Sequence, residues 1–590
     1  MQRLTEELKA NPRRITENDL IRSQKLLLDA VNDLQRRLPR EFDREAANDW
    51  TITLKLAELK TTLAKKTPEP EILEATQKAL ASDKEGIRWT LFDGIRTALR
   101  RYKTIDQLLK EGNYEQRLTG ICDNLENWIA EYNQGSDPLY FVTLSRAMTW
   151  LDDISFVEPR TARLAELTRT ACAGVNVRLQ IGSDFVVAGF QKEINEMLDI
   201  NETILGTHVV GDGILVGASN AELVNSPNRA IIKVLAEVVM DTNTDGSQAM
   251  VKVQNHTTGT VGGEKQILFS AEGITTTPAK AKAKLNAKLS NVQINAGPLV
   301  RLVARNQVEN RRDDSLAEAS RRAERRMNGQ LNELIDTNIA QVNEWFQKIR
   351  NTLNKTGLFP RVWNLSSTTQ QMEWSILLGN TNQPSAPIQA PAIQPPNGLS
   401  VQVHQSALNN MLATVLAGRF IDEEKFSQRL EEFFDEVPEF LRRKADDAPA
   451  KVSFDGTAPV EVMFVDNKIR VVVRLTDIQA VDNVGRSFSI TVEYRLKMEK
   501  RNDQNVVVLE QVEAEAFPSG YNPNSGESLS TTQMMIRSYL MRRLEALPKR
   551  LEMDPIAVGG TWSDTGHLTP EFASTEKGWL TIVWSWKSAK

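Results

Sequence analysis

Residues 204 to about 304 alternate in side-chain character almost without interruption, and one long helical pattern follows at once. Segments such as "AIIKVLAEVVMDT", "SQAMVKVQN", "KQILFSAEG" and "AKAKAKLNAKLSNVQ" repeat at period two, the mark of an antiparallel meander. Lys280, Lys282 and Lys284 alternate with alanines, so one face there is solvated and the other buried. From about Asp314 to Thr356 the period becomes helical. Met327, Leu331, Leu334, Ile335, Val342, Phe346, Ile349 and Leu353 form its apolar stripe. Unbroken, that helix would be about 60 Å long, and Gly329 weakens it locally. A meander cannot bury its apolar face alone. A long amphipathic helix beside it predicts a curved sheet wrapped around a helix, an arrangement that can leave a hydrophobic groove.

The rest of the chain is organised around this unit. Residues 1–165 read as a helical domain. Leu20, Leu27, Val31, Leu34 and Leu38 share a face, Pro39 can stop that helix, and Ser136-Asp137-Pro138 offers a cap further on. Residues 170–380 form a first α+β module. It opens with a strand, "VNVRLQI", and a helix, "GSDFVVAGFQKEINEML"; it ends in "RVWNLSS" and "MEWSILL". Residues 381–398, "NQPSAPIQAPAIQPPNG" at their centre, are a proline-rich linker. Residues 399–590 form a second α+β module: a short strand and helix in "LSVQVHQSALNNMLATVLAG", a helix in "DEEKFSQRLEEFFDEVPEFLRRK", a meander with turns at Asp466-Asn467 and Asn502-Asp503, a helix, and a final "GWLTIVWSW". The element order occurs twice. "VRLQIGSDFV" parallels "SVQVHQSAL", and "LSSTTQQMEWSILL" parallels "FASTEKGWLTIVW". An internal duplication follows as the expectation. The fold class is α+β: a helical N-terminal domain followed by two tandem modules of helix plus curved antiparallel sheet.

Composition narrows the function. The charge balance, Lys+Arg 72 against Asp+Glu 77, speaks against a nucleic-acid grip across the whole chain. No apolar run reaches the length of a transmembrane helix, and the first residues have no secretory apolar core, so no signal peptide is read in the chain as given. Cys122 and Cys172 sit in no metal-binding spacing; they are either two buried thiols or one disulfide.

Three patterns suggest chemistry. Residues 241–252, "DTNTDGSQAMVK", open like a calcium loop, but Lys252 stands where a bidentate glutamate is needed; the competing reading is a hairpin at Asp245-Gly246. "TGTVGGEK" lacks phosphate-loop spacing and reads as a flexible hairpin. His208, His256, His404 and His567 are scattered. His404 sits at a strand-to-helix junction with Ser406 where an N-cap is wanted, and the matching place in the first module is a glycine. No catalytic, cofactor-binding or metal residue is therefore assigned, and no cofactor is expected. In "GWLTIVWSW", Trp584 and Trp586 share one strand face with Leu580 and Ile582, either as core or as groove lining.

Two likenesses add to this reading. The second module resembles a tubular lipid-binding (TULIP-like) half-module, with its amphipathic opening helix and highly curved meander. "ILGTHVVGDG", "LFSAEGITTTPAKAKAK", "RRAERRMNGQLNELIDTNI" and "LFPRVWNLSSTTQQMEWSI" are similar to segments of uncharacterised exported proteins of planctomycete bacteria, over roughly residues 90–480. That resemblance implies a cell-envelope, periplasmic or secreted setting and carries no activity with it. The expectation is a non-enzymatic envelope protein that binds an apolar, lipid-like ligand or a protein partner in a helix–sheet groove, with Phe346, Ile349, Leu353, Trp584 and Trp586 as its candidate lining. The alternatives are an envelope scaffold with solid cores and a hydrolase with an unrecognised site.

Overall fold

The computed structural model describes residues 1–134, 139–424, 449–480, 483–558, 562 and 565–588. The architecture is α+β: packed helices first, then curved antiparallel sheets with helices. The expected cap at residues 136–138, and all but the first residues of the helix expected over 422–444, lie outside the described residues.

Nine α-helices lie between Gln2 and Ala171 among the described residues. Leu27, Val31, Leu34 and Leu38 are buried on the helix Glu17–Glu41, as their spacing predicts, in a core with Trp50 and Phe92. Pro39 does not end that helix. It sits in the final turn, where its missing N–H removes only one terminal bond, and the chain becomes extended at Phe42.

A seven-stranded antiparallel sheet joins the two α+β parts of the chain. Its two opening strands, Val177–Gly182 and Leu399–His404, pair at the centre. Outward from this pair the order is the same on both sides: the last strand (Gln371–Leu377; Trp579–Ser588), then the one before it (Val362–Ser367; Gly566–Glu576). Register makes the sheet two-faced. Leu365, Trp374, Leu179, Val401 and Ile582 lie in one cross-strand row, and Ser375, Arg178, Gln402 and Thr581 lie in the next. The apolar face meets the meanders.

The centre of the polar face is not solvated. Gln180, Ser400, Gln402 and Thr581 are all buried. The proline-rich residues 382–398 lie against this part of the sheet. The Pro391 carbonyl accepts from Gln402 Nε2 at 2.8 Å, and the Ile388 carbonyl accepts from Trp579 Nε1 at 3.0 Å. Ser385 N–H donates to the Cys172 carbonyl at 2.9 Å, and Tyr132 donates to the Ser385 carbonyl at 2.6 Å. The segment thus ties the sheet to the helical domain.

The first meander runs Lys192–Ile204, Thr207–Val224, Ala230–Gln248 and Val251–Ser270, with Gly273–Thr276 and Lys280–Ile294 both paired to the fourth strand. The helix expected over residues 182–198 stops at Phe190, and its second half is the edge strand Lys192–Ile204. The calcium-like residues 241–246 also lie inside a strand, paired on both sides. The turn comes at Ala249-Met250, where Ala249 takes φ 51°. "TGTVGGEK" is strand interior as well.

The second meander includes Val460–Val465, Lys468–Ala480, Asn483–Arg501 and Gln504–Pro518. Its predicted turns are present: Asp466, Asn467, Asn502 and Asp503 all take positive φ, as two-residue hairpins require. The helix Thr531–Glu545 packs Ile536, Tyr539, Leu540 and Leu544 into the core of this sheet.

Candidate functional site: the long helix and its sheet

The helix Arg312–Thr356 has 45 residues, about 67 Å at 1.5 Å per residue. Met327, Leu331 and Ile335 are buried against Leu215, Val234, Val238 and Val261 of the first meander. The approach is close because the strand carries glycine there. A Cβ on Gly263 would stand 2.7 Å from Leu331 Cδ1 and 2.8 Å from Met327 Cγ. Glycine inside a strand marks such an approach, and this is the structural role of the segment expected to be a hairpin.

Polar side chains of the helix serve the open sheet edge. Glu324 accepts from the Ala283 N–H at 3.0 Å, Asn332 from the Ala279 N–H at 3.1 Å, and Asn343 from the Ile274 N–H at 3.2 Å. On the opposite edge strand, Arg322 bonds Glu202 and the Thr203 carbonyl. The helix thus meets both edges of the sheet at single points, one way in which an edge is covered. Lys265 is a further pin. Its side chain is fully buried, and Nζ lies 2.7 Å from both Asn332 Oδ1 and Asp336 Oδ1. The ammonium, with the Thr276 hydroxyl, holds the Asp336 carboxyl below its usual range.

The stripe does not stop where the cover stops. Met327, Leu331, Ile335, Val342, Trp345, Ile349 and Leu353 follow at steps of four, four, seven, three, four and four, which keeps them on one face. The first three are buried. Val342, Trp345 and Ile349 are 46%, 63% and 37% exposed. Phe346 and Leu353 are half-buried; Phe346 meets Trp363 edge-on at 5.9 Å, and Phe359 stacks on Trp363 at 5.7 Å. Arg350 lies over the Phe359 ring, and Lys355 over Trp89 of the helical domain. The Trp363 indole N–H is out of solvent with no acceptor among the described residues. The sequence reading omitted Trp345. Its spacing from Val342 and Ile349 was the available signal.

Trp584 and Trp586 stand elsewhere. They share the apolar face of the joint sheet with Leu580 and Ile582. Trp584 is 5% exposed in a cluster with Leu496 and Val507 of the second meander, and Trp586 meets Phe185. Their strand is four positions across the sheet from that of Trp363, about 19 Å at 4.8 Å per strand. Five candidate residues thus fall into two places, and Phe346, Ile349 and Leu353 stay together.

The remaining candidates are structural. His404, not Ser406, is the N-cap of the helix Gln405–Leu416. Its Nδ1 accepts the Ser406 N–H at 3.2 Å and lies 2.9 Å from Ser406 Oγ. An accepting Nδ1 leaves the proton on Nε2. Burial pushes the imidazole down to about 3. His404 and Ser406 are both buried, and their bonds are those of a cap. His567 and His404 lie on opposite sides of one strand, opposite Lys587 and Trp579, about 27 Å apart by strand rise. Cys122 and Cys172 are free and buried, with burial pushing the thiols up to about 11 and about 12. Among the described residues, no group of three or more His, Cys, Asp or Glu is placed to hold a metal ion, and no helix is long and apolar enough to cross a membrane. A cavity of about 740 Å³ opens in the helical domain beside Leu38, Pro39, Arg44 and Thr51.

No family model matches the chain, and no curated protein matches it. Among solved structures, it is similar to a lipopolysaccharide binding protein at 9% identity, with a TM-score of 0.28, covering 71% of this chain and 100% of that one. A TM-score that low gives the likeness no weight for fold or function.

Proposed function

We propose that this chain is a non-enzymatic binding protein that takes up an apolar, lipid-like ligand along the uncovered end of its long helix. One observation carries the reading: a single helical stripe is buried at Met327–Leu331–Ile335 and bare at Val342–Trp345–Ile349. Covering the three bare side chains would contribute roughly 3–4 kcal/mol, at about 1 kcal/mol for each half-exposed residue. Alone that gives only millimolar affinity, so a tighter ligand must reach Phe346, Phe359 and Trp363. The unpartnered Trp363 N–H suits an acceptor oxygen at the ligand's polar end, and Arg350 lies over the Phe359 ring that stacks on this indole. Binding would be burial and orientation, without covalent chemistry.

The two modules are read as copies of one unit, supported by the matching strand order on both sides of the joint sheet. A cell-envelope setting belongs to the same proposal and rests on the sequence likeness. The scaffold reading keeps one observation in its favour: the interiors of both meanders are filled by helix side chains, Met327, Leu331 and Ile335 in one and Ile536, Leu540 and Leu544 in the other. Organic extraction of the purified protein followed by mass spectrometry separates the two. Acyl lipid in stoichiometric amount, lost in Trp345→Asp, supports ligand binding. No extractable lipid, together with no uptake of added fatty acid, leaves the scaffold.

A further inference from the structure

One end of the first meander gathers exposed apolar side chains from three separate elements. The hairpin between Lys192–Ile204 and Thr207–Val224 turns at Leu205-Gly206, both with positive φ, and leaves Leu205 49% exposed. The next hairpin at that end turns at Ala249-Met250, with Met250 57% exposed. The two tips touch: Thr207 Oγ1 lies 3.3 Å from Gln248 Oε1. The strand Lys280–Ile294 finishes beside them, its following Asn295 N–H donating to the Met250 carbonyl at 3.0 Å. The helix Pro298–Asn310 starts there, with Leu299 81% and Leu302 64% exposed in its first turns. Hairpin tips are ordinarily polar. Four bare apolar side chains converging from three elements make a patch with a purpose.

Charge indicates what covers it. Residues 298–312 hold four arginines against one glutamate. Arg301 and Arg305 are exposed and form no ion pair among the described residues. A short helix with leucines on one side and arginines beside them, next to protruding Leu and Met, suits an anionic bilayer surface: the apolar groups enter the acyl boundary and the guanidiniums meet headgroup phosphates. We infer that this tip docks the protein on anionic membranes. Trp345 is 33 residues along the long helix from Arg312, about 50 Å away, so the tip acts separately from the proposed ligand stripe.

The test is co-sedimentation of the full chain with phosphatidylcholine vesicles and with phosphatidylcholine–phosphatidylglycerol vesicles. Binding is expected to the second only, falling about tenfold for each of Leu299→Asp and Leu302→Asp and about fivefold for each of Arg301→Gln and Arg305→Gln. Trp345→Asp should bind vesicles like the parent. All these positions are exposed, and circular dichroism checks that each variant folds. No binding to either vesicle, equal binding to both, or binding that survives the leucine changes would overturn the inference; a soluble protein that protects the tip when no vesicle does would reassign it to a protein partner.

Discussion

Replacing His404 with asparagine is expected to remove one specific component of acid sensitivity. Asparagine keeps an acceptor for the Ser406 N–H and so keeps the cap, but it cannot take up a proton. In the folded chain, burial holds the imidazole near 3 against 6.5 in the open chain. Between those values the unfolded state binds a proton that the folded state refuses. Stability from this site is complete above pH 6.5 and is lost progressively as pH falls toward 3. At about pH 5 the loss is about 2 kcal/mol, from 1.4 kcal/mol per unit over the interval. His404→Asn should cost about 1–2 kcal/mol at pH 7.5, from lost packing on Trp579 (5.2 Å between rings). That deficit should vanish near pH 5. Hydrogen exchange read on peptides covering residues 399–416 reports the opening energy of this junction without requiring the whole chain to unfold in one step. A wild-type-minus-variant difference that stays constant from pH 7.5 to 5 would show that His404 takes up no proton on unfolding.

Gly263→Val should weaken the first module by about 1–3 kcal/mol, since its Cβ enters the space of Leu331 and Met327. Gly262→Ala next to it, with no atom nearer than 4.0 Å, should cost far less in the same urea titration. Lys265→Ala should cost about 2–4 kcal/mol through the cavity and the lost pin on Asn332 and Asp336. Lys265→Met fills that space without a buried charge and should cost less than half as much. Cys122 and Cys172 should resist iodoacetamide at pH 8 in the native protein and react only after denaturation, as intact mass would show, because burial keeps both protonated.

The sequence read well where local chemistry decides and poorly where cover decides. Asp466-Asn467 and Asn502-Asp503 announced their turns because few residues accept positive φ. The period-two run and the long helix were plain for the same kind of reason. "QKEINEML" was misread because its apolar spacing fits a helix as well, and only pairing with residues 213–219 makes it a strand. Gly262-Gly263 looked like a turn because nothing in one strand announces the helix lying across it. Alternation in "LSVQVH" marked two faces, one apolar and one polar, but not what covers the polar one. That face is buried, and its polar groups find partners in the proline-rich segment and neighbouring strands. Most telling is the long helix. Its stripe keeps helical spacing over the buried and the bare halves, and Leu334, expected in it, is itself 64% exposed, so no sequence pattern marks where the sheet ends.

The proposed ligand binding depends on that bare half. An equilibrium titration with a fluorescent acyl probe, comparing the parent protein with Ile349→Asp, tests it most directly. Saturable binding in the parent, weakened about tenfold or more by a charge set on the stripe, is the predicted result. Equal affinity in both proteins, or no saturable binding in either, would contradict it.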